Sequence, residues 1–240
     1  MSIVKLANIN MSYGDKQVLH SVNLDIEANK ITCLFGKSGS GKTTVLRLIA
    51  GLETPESGEI IIGNRVVSKN GKILVPPRKR NTGFIFQDLA LWPHFTVFEN
   101  IAFGLKERKE KNIEEKVYEA LEFSGLTEHA KKYPHQLSGG QKQLVAISRS
   151  LVLKPEILLM DEPLSGLDNV LKIKILEYIK NLKDNFNITI VYVTHDQGIA
   201  FSFPDRIILL SDGVITGSGT PEEIGRKNRG FANNYFLKFD

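Results

Sequence analysis

Eight consecutive residues, Gly36-Lys37-Ser38-Gly39-Ser40-Gly41-Lys42-Thr43, fit the pattern G-x-x-x-x-G-K-[ST] at every position. Glycines at this spacing let a backbone curl until several N–H groups point inward at an anion. A helix that starts at the end of such a loop adds the positive end of its dipole. Lys42 can then place a cation on the outer phosphates of a nucleotide, and the Thr43 hydroxyl can ligate Mg²⁺. Thr44 completes the local set of nucleotide-binding candidates. A merely flexible Gly/Ser loop does not account for the apolar run Ile31–Phe35 before it or the helical pattern Val45–Ala50 after it.

A phosphate site also needs carboxylates for metal and water. Ile157-Leu158-Leu159-Met160-Asp161-Glu162 offers them at the end of an apolar strand. Asp161 falls beside the phosphate loop if the two strands are neighbours, where it can coordinate metal. Glu162, one residue on, is placed to orient or deprotonate a water. By itself such a stretch is common and proves little; the phosphate loop is what demands it.

The elements that must position these groups alternate. Ile3–Met11 and Gln17–Ile26 read as strands around a turn at Tyr13-Gly14-Asp15, and Glu59–Val67 reads as a hairpin turning at Gly63-Asn64. Pro76-Pro77 interrupts the chain before a strand near Gly83–Phe86. Asn112 with Glu115 three residues on predicts a capping box, followed by a helix with Ile113, Val117, Ala120 and Leu121 on one face and Gly125 at its end. A second helix follows Ser138, with Leu144, Ile147 and Leu151 on one side. Residues 89–153 therefore read as a helical insert. Strand Ile157–Met160, helix Leu171–Leu182, strand Ile188–Val193 and a hairpin turning at Asp212-Gly213 restore the β/α rhythm. That rhythm predicts an α/β fold with a mostly parallel sheet, to which the early strands add an antiparallel patch.

The 240 residues can bury one large core, and 42% hydrophobic with 24% charged residues is ordinary for a globular protein. With Lys+Arg at 31 and Asp+Glu at 27, the net charge of +4 is too small and scattered to argue for nucleic acid. The single cysteine, Cys33, sits in an apolar run, which excludes an internal disulfide and fits a reducing compartment. No secretory leader is expected, and no run approaches the roughly 20 apolar residues that span a bilayer. Any membrane role requires another chain to cross.

Leu137-Ser138-Gly139-Gly140-Gln141 resembles the signature sequence of ABC ATPases. Ahead of a helix it makes a second anion-binding N-terminus. The resemblance covers essentially the whole chain, in order. It implies a P-loop NTPase core formed by residues 1–88 and 154–240, with 89–153 as an inserted helical subdomain of one ABC ATPase domain. It also implies that two chains pair head to tail, each ATP lying between one chain's phosphate loop and the other's Ser138–Gln141. Tyr13 matches the aromatic that stacks on adenine; a strand-end tyrosine is the plainer reading. Gln87 matches the glutamine that meets Mg²⁺ and the attacking water. Ser165-Gly166-Leu167-Asp168 resembles the loop that crosses to the other subunit, and His195 matches the histidine on the γ-phosphate. Lys42, Gln87, Glu162 and His195 are thus the catalytic candidates, and Thr43, Gln87 and Asp161 the metal candidates. The chain departs from the family at Leu144, usually arginine, and Gly166, frequently alanine. Those departures bear on lobe and dimer contacts, not on chemistry.

Pro76–Val97 is similar to importer ATPases of the iron, polyamine, sulfate, molybdate and sugar group. In that group the stretch after the glutamine receives a short helix from a transmembrane permease subunit. Leu91, Trp92, Pro93 and Phe95 either line that groove or pack inside the helical lobe. The resemblance implies an ATPase on the cytoplasmic face of the membrane. Its expected partners are a second copy or another ABC subunit, permease subunits and an extracytoplasmic solute-binding protein, with no nucleic acid. An exporter ATPase is the alternative, followed by a soluble ABC protein. Long coiled-coil inserts or a second ATPase domain would mark the latter, and neither is present before Asp240. The β-rich regulatory domain that many relatives carry is expected to be missing here.

Overall fold

The computed structural model describes residues 1–227; the last part of the expected core lobe, 228–240, lies outside the described residues. Strands β1 (Ser2–Tyr13) and β2 (Lys16–Glu27) form a long antiparallel pair. Val4, Leu6, Ile9 and Met11 of the first and Leu19, Val22, Leu24 and Ile26 of the second are buried. Strands β4 (Ser57–Ile62), β5 (Arg65–Lys69) and β6 (Lys72–Ile73) extend this sheet in the order β2-β1-β4-β5-β6, antiparallel throughout.

The second sheet holds β3 (Ile31–Phe35), β7 (Thr82–Ile85), β8 (Ile157–Asp161), β9 (Thr189–Thr194), β10 (Arg206–Ser211) and β11 (Val214–Gly219). Its order is β11-β10-β3-β9-β8-β7, parallel except for the β10–β11 hairpin. Every residue of β8 and β9 is buried, as expected of parallel strands covered on both faces. Helix α1 (Lys42–Ala50) lies between the two sheets, with Val45, Leu46, Leu48 and Ile49 in a core shared with Leu6, Leu34, Leu159 and Val191. Helix α5 (Asn169–Phe186) covers the other face through Ile175, Ile179 and Leu182, beside α6 (Gln197–Ser202); α7 (Pro221–Lys227) ends the described chain.

Helices α2 (Val97–Glu107), α3 (Ile113–Phe123) and α4 (Gly139–Leu151) share a separate apolar cluster of Val97, Ile101, Leu105, Val117, Leu121 and Val145. Helix α2 is not among the helices read from the sequence. Its capping box is complete, because Glu99 N donates to Thr96 Oγ1 and Thr96 N donates to Glu99 Oε2. The box expected at Asn112 does not form. Asn112 takes a left-handed backbone (φ 55°) and gives its side-chain amide to Glu115 instead of accepting from the helix.

Arg80 fastens α1 to the first sheet. Its guanidinium is buried and donates to Val75 O, Leu48 O, Ile49 O, Val67 O and Ser68 Oγ. A cation at the carbonyl end of α1 meets the negative end of its dipole. Burial lowers the guanidinium pKa to about 10.

Candidate functional site

The loop after β3 turns tightly enough that only glycine fits at two points. A Cβ on Gly36 would lie 2.0 Å from Leu210 O, and Gly41 caps α1 at φ 102°. The β10–β11 turn braces the loop, with Gly213 N donating to Ser40 O and His20 N donating to Gly213 O. The Ser40 hydroxyl is buried without a partner among the described residues. Helix α1 begins at Lys42, three residues earlier than its apolar pattern indicates, so the loop's last residues belong to its first turn. Thr43 and Thr44 therefore point from a helix N-terminus whose free N–H groups favour an anion.

Lys42 is nearly buried, and its ammonium donates to Gly36 O and Lys37 O at 2.8 Å each. Burial lowers its pKa, opposed by the charges of Glu162 and Asp161. Asp161 and Thr43 meet although their strands are not neighbours. Strand β9 lies between β3 and β8, so the condition that the two strands be neighbours is not met, and the groups meet all the same. The first turn of α1 spans that gap, and Thr43 Oγ1 donates to Asp161 Oδ1 at 2.9 Å. Burial raises the Asp161 pKa, against the Thr43 hydrogen bond that lowers it. A desolvated carboxylate beside a hydroxyl is an all-oxygen donor pair suited to a hard cation. Among the described residues no cluster of three or more His, Cys, Asp or Glu could enclose a metal alone.

Glu162 follows β8 with a left-handed backbone, φ 45°, and its N–H donates to Val193 O of the adjacent strand. Such a conformation in a non-glycine residue costs on the order of 1–3 kcal/mol and is tolerated where the surroundings enforce it. His195, just past the end of β9, sets its Nδ1 2.9 Å from Glu162 Oε1. Gln87 extends from the end of β7. Together Tyr13, Ser38, Gly39, Gly41, Lys42, Thr43, Thr44, Gln87, Glu162 and His195 line one open cleft of about 520 Å³. Tyr13 is 45% exposed at its mouth, so a ring face is available for stacking.

Ser138, Gly139, Gly140, Gln141 and Asp168 do not line that cleft. Ser138 is exposed and caps α4, its hydroxyl accepting from Gln141 N while Gln141 Oε1 accepts from Ser138 N. Asp168 caps α5 by accepting from Leu171 N. The two helix starts adjoin, since a Cβ on Gly140 would strike Leu171 at 2.6 Å and one on Gly139 would touch Leu167 at 3.2 Å.

Two polar residues that the sequence reading did not single out organise the segment after Gln87. Buried Asn100 accepts from Trp92 N and donates to Trp92 O, Phe95 O and Thr96 O. Arg149 of α4 donates to Leu89 O and Ala90 O. Leu91 packs against both helical and core clusters, whereas Trp92 and Phe95 are half-buried in an aromatic group with Phe103. Cys33 is buried and unpaired, and burial pushes its thiol pKa up.

The family model described as "ABC transporter" matches residues 19–165. The chain is 47% identical over 223 residues to the spermidine/putrescine import ATP-binding protein PotA of Thermotoga maritima, covering 92% of this chain and 59% of that protein. It thus spans about three fifths of the length of that curated relative. CbiO1 of Clostridium perfringens, part of the ABC transporter complex cbiONQ, superposes with a TM-score of 0.84 at 28% identity, over 95% of this chain and 92% of that one. A dimeric ATP-binding cassette in a post-hydrolysis state with ADP and Pi gives 0.79 at 34% identity, over 91% and 98%. The matched region runs from β2 through the phosphate loop and the Ser138 helix to the loop that follows Glu162. This chain belongs to the ABC transporter family.

Proposed function

We propose that the chain is an ATP-hydrolysing nucleotide-binding subunit that pairs around two ATP molecules and drives solute import through separate transmembrane subunits. In this reading residues 1–88 and 154–240 are its core lobe, of which 228–240 lie outside the described residues, and 89–153 its helical subdomain. The observation that carries the reading is the division of anion-binding groups. Lys42, Thr43, Glu162, Gln87 and His195 line one open cleft, with Asp161 behind Thr43 and bonded to it, while the exposed Ser138 helix start, a second such group, lies outside it. One triphosphate engages both if they come from two chains.

In this reading Tyr13 stacks on the base, and Gly36, Ser38–Gly41, Lys42, Thr43 and Thr44 hold the phosphates. Ser138, Gly139, Gly140 and Gln141 of a second copy, or of another ABC subunit, close the far side, and Asp168 orders the facing loop. Thr43 and Asp161, with Gln87, would hold Mg²⁺, which when bound neutralises charge on the outer phosphates. Glu162 accepts the proton of the attacking water, and His195, hydrogen-bonded to Glu162, contacts the γ-phosphate. Loss of the γ-phosphate removes the group that both chains share, so the pair opens. Among the described residues no helix is long and apolar enough to cross a membrane. The PotA relative's function, spermidine/putrescine import, favours permease partners, a solute-binding protein outside and a peripheral position on the cytoplasmic face.

The test is light scattering on Glu162→Gln protein with ATP, with ADP and without nucleotide. A dimer that accumulates only with ATP supports the reading. A protein that binds ATP yet stays monomeric, alone and within its assembled transporter, overturns it.

A further inference from the structure

Leu89 and Ala90 are consecutive non-glycine residues with left-handed backbones, φ 62° and 43°. That conformation is sterically costly for L-residues and persists only where the surroundings impose it. One side chain grips both carbonyls. The Arg149 guanidinium donates to Ala90 O at 2.6 Å and to Leu89 O at 2.8 Å. The same guanidinium lies 4.9 Å from the centre of the Trp92 ring, within reach for a cation–π contact. Arg149 has no salt bridge among the described residues; the forked contact with two carbonyls and a ring, together with the charge of nearby Asp88, offsets its own.

The location gives the contact a consequence. Gln87, two residues before Leu89, lines the nucleotide cleft. Arg149 lies in the last turn of α4, whose first turn begins after Ser138. Asn100 separately ties Trp92 and Phe95 to α2. The segment after Asp88 is therefore held by Arg149 of α4 at one end and by Asn100 of α2 at the other, with Leu89 and Leu91 also packed against the core cluster, and Gln87-Asp88 leads from it to the cleft. We propose that Arg149 is a positioning residue: its forked grip on Leu89 and Ala90 makes α4 and the Trp92 segment follow Gln87 as one body when the cleft fills. The proposal rests on reading that cleft as an ATP site. A lysine keeps the charge but cannot grip two carbonyls in a planar fork.

Trp92 is the only tryptophan in the chain, so its fluorescence reports this contact directly. The experiment compares wild type, Arg149→Met and Arg149→Lys, each in a Glu162→Gln background that retains ATP. ATP·Mg binding is measured by equilibrium dialysis, and Trp92 emission and acrylamide quenching are recorded with and without ATP·Mg. The expected result is that ATP changes Trp92 emission and quenching in the parent. Arg149→Met should bind ATP with about the same affinity yet lose that change, and Arg149→Lys should keep only part of it. Failure of the parent to bind ATP overturns the site reading and the proposal with it. ATP binding with no Trp92 response in the parent, or with an undiminished response in Arg149→Met, overturns the proposal alone. Loss of cooperative thermal unfolding in both variants would make Arg149 a structural residue and also overturn it.

Discussion

His195 Nδ1 lies 2.9 Å from Glu162 Oε1, and the two residues follow the ends of adjacent parallel strands. Glu162 N donates to Val193 O, two residues before His195, so the backbone holds both groups in one register. Groups held this way act together, and their removal should not be additive. Glu162→Gln is expected to lower single-turnover phosphate release about 10²-fold or more, with ATP still bound. His195→Ala should also slow the step. The double variant should be little slower than the worse single one. A double loss equal to the product of the two singles would show that the contact plays no part in the step.

Asp161 provides a test with a sign. Its folded-state pKa lies above the ordinary value because burial disfavours the carboxylate. Between the unfolded and the raised folded pKa the native state holds more protons than the unfolded chain, so stability falls as pH rises through that window. Above it the charged group is a standing cost to the nucleotide-free protein. Asp161→Asn keeps an oxygen to accept from Thr43 and removes the charge. The variant should unfold at a higher temperature than wild type near pH 7 without nucleotide, with the difference shrinking in acid. It should also lose the Mg²⁺-dependent part of its stabilisation by ATP. Calorimetry across pH, with and without ATP·Mg, reads both effects. A lower unfolding temperature for the variant at neutral pH would contradict the assignment.

Arg80 tests the frame rather than the chemistry. Its removal strands carbonyls at the end of α1 and in β5, all buried. Hydrogen bonds to a charged group contribute about 1.5–3 kcal/mol each, and the losses at one buried site do not simply add. Arg80→Met should therefore cost about 3 kcal/mol or more in urea unfolding, with an unchanged dependence on urea concentration if the fold is kept. A cost below about 1 kcal/mol would mean that water replaces the guanidinium.

The phosphate-loop candidates could be picked from residue type alone because a G-x-x-x-x-G-K-[ST] loop is local: its glycines, lysine and threonine are contiguous. The alternation of apolar runs likewise revealed β3, β8 and β9 within a residue or so of their ends. Strand order is a different matter. Nothing in Ile31–Phe35 or Ile157–Asp161 says that β9 lies between them, and yet that order makes Thr43 rather than the loop backbone the partner of Asp161. Arg80, Asn100 and Arg149 were illegible for a related reason. Their partners are, apart from Ser68 Oγ, backbone groups, which every residue carries, so no sequence pattern marks them. The Thr96–Glu99 box was legible and simply stood behind a run of aromatic residues; the Asn112–Glu115 pair shows the opposite error, a correct spacing without the geometry.

The segment after Gln87 sorts into two kinds of apolar residue. Leu91 touches both the core and the helical clusters. Trp92 and Phe95 are half-buried and stack with Phe103, with His94 against Phe95. A charge at position 91 enters a packed seam without a partner. Leu91→Asp should therefore destabilise the isolated chain by about 2 kcal/mol or more. At position 95 a charge has water on one side, and the lost aromatic contacts are worth about 1 kcal/mol. Phe95→Glu should keep the fold and the ATP turnover of the isolated subunit. In the assembled transporter, however, it should weaken recovery of the permease subunits and lose any stimulation of hydrolysis by transported solute, because on the proposed docking a carboxylate would face the permease helix. Urea unfolding, pull-down from membranes and stimulated phosphate release distinguish the cases. If Phe95→Glu unfolds like Leu91→Asp, the aromatic group is part of the core and the docking surface lies elsewhere. If Phe95→Glu folds and couples normally, the half-exposed rings are not the surface that the permease grips.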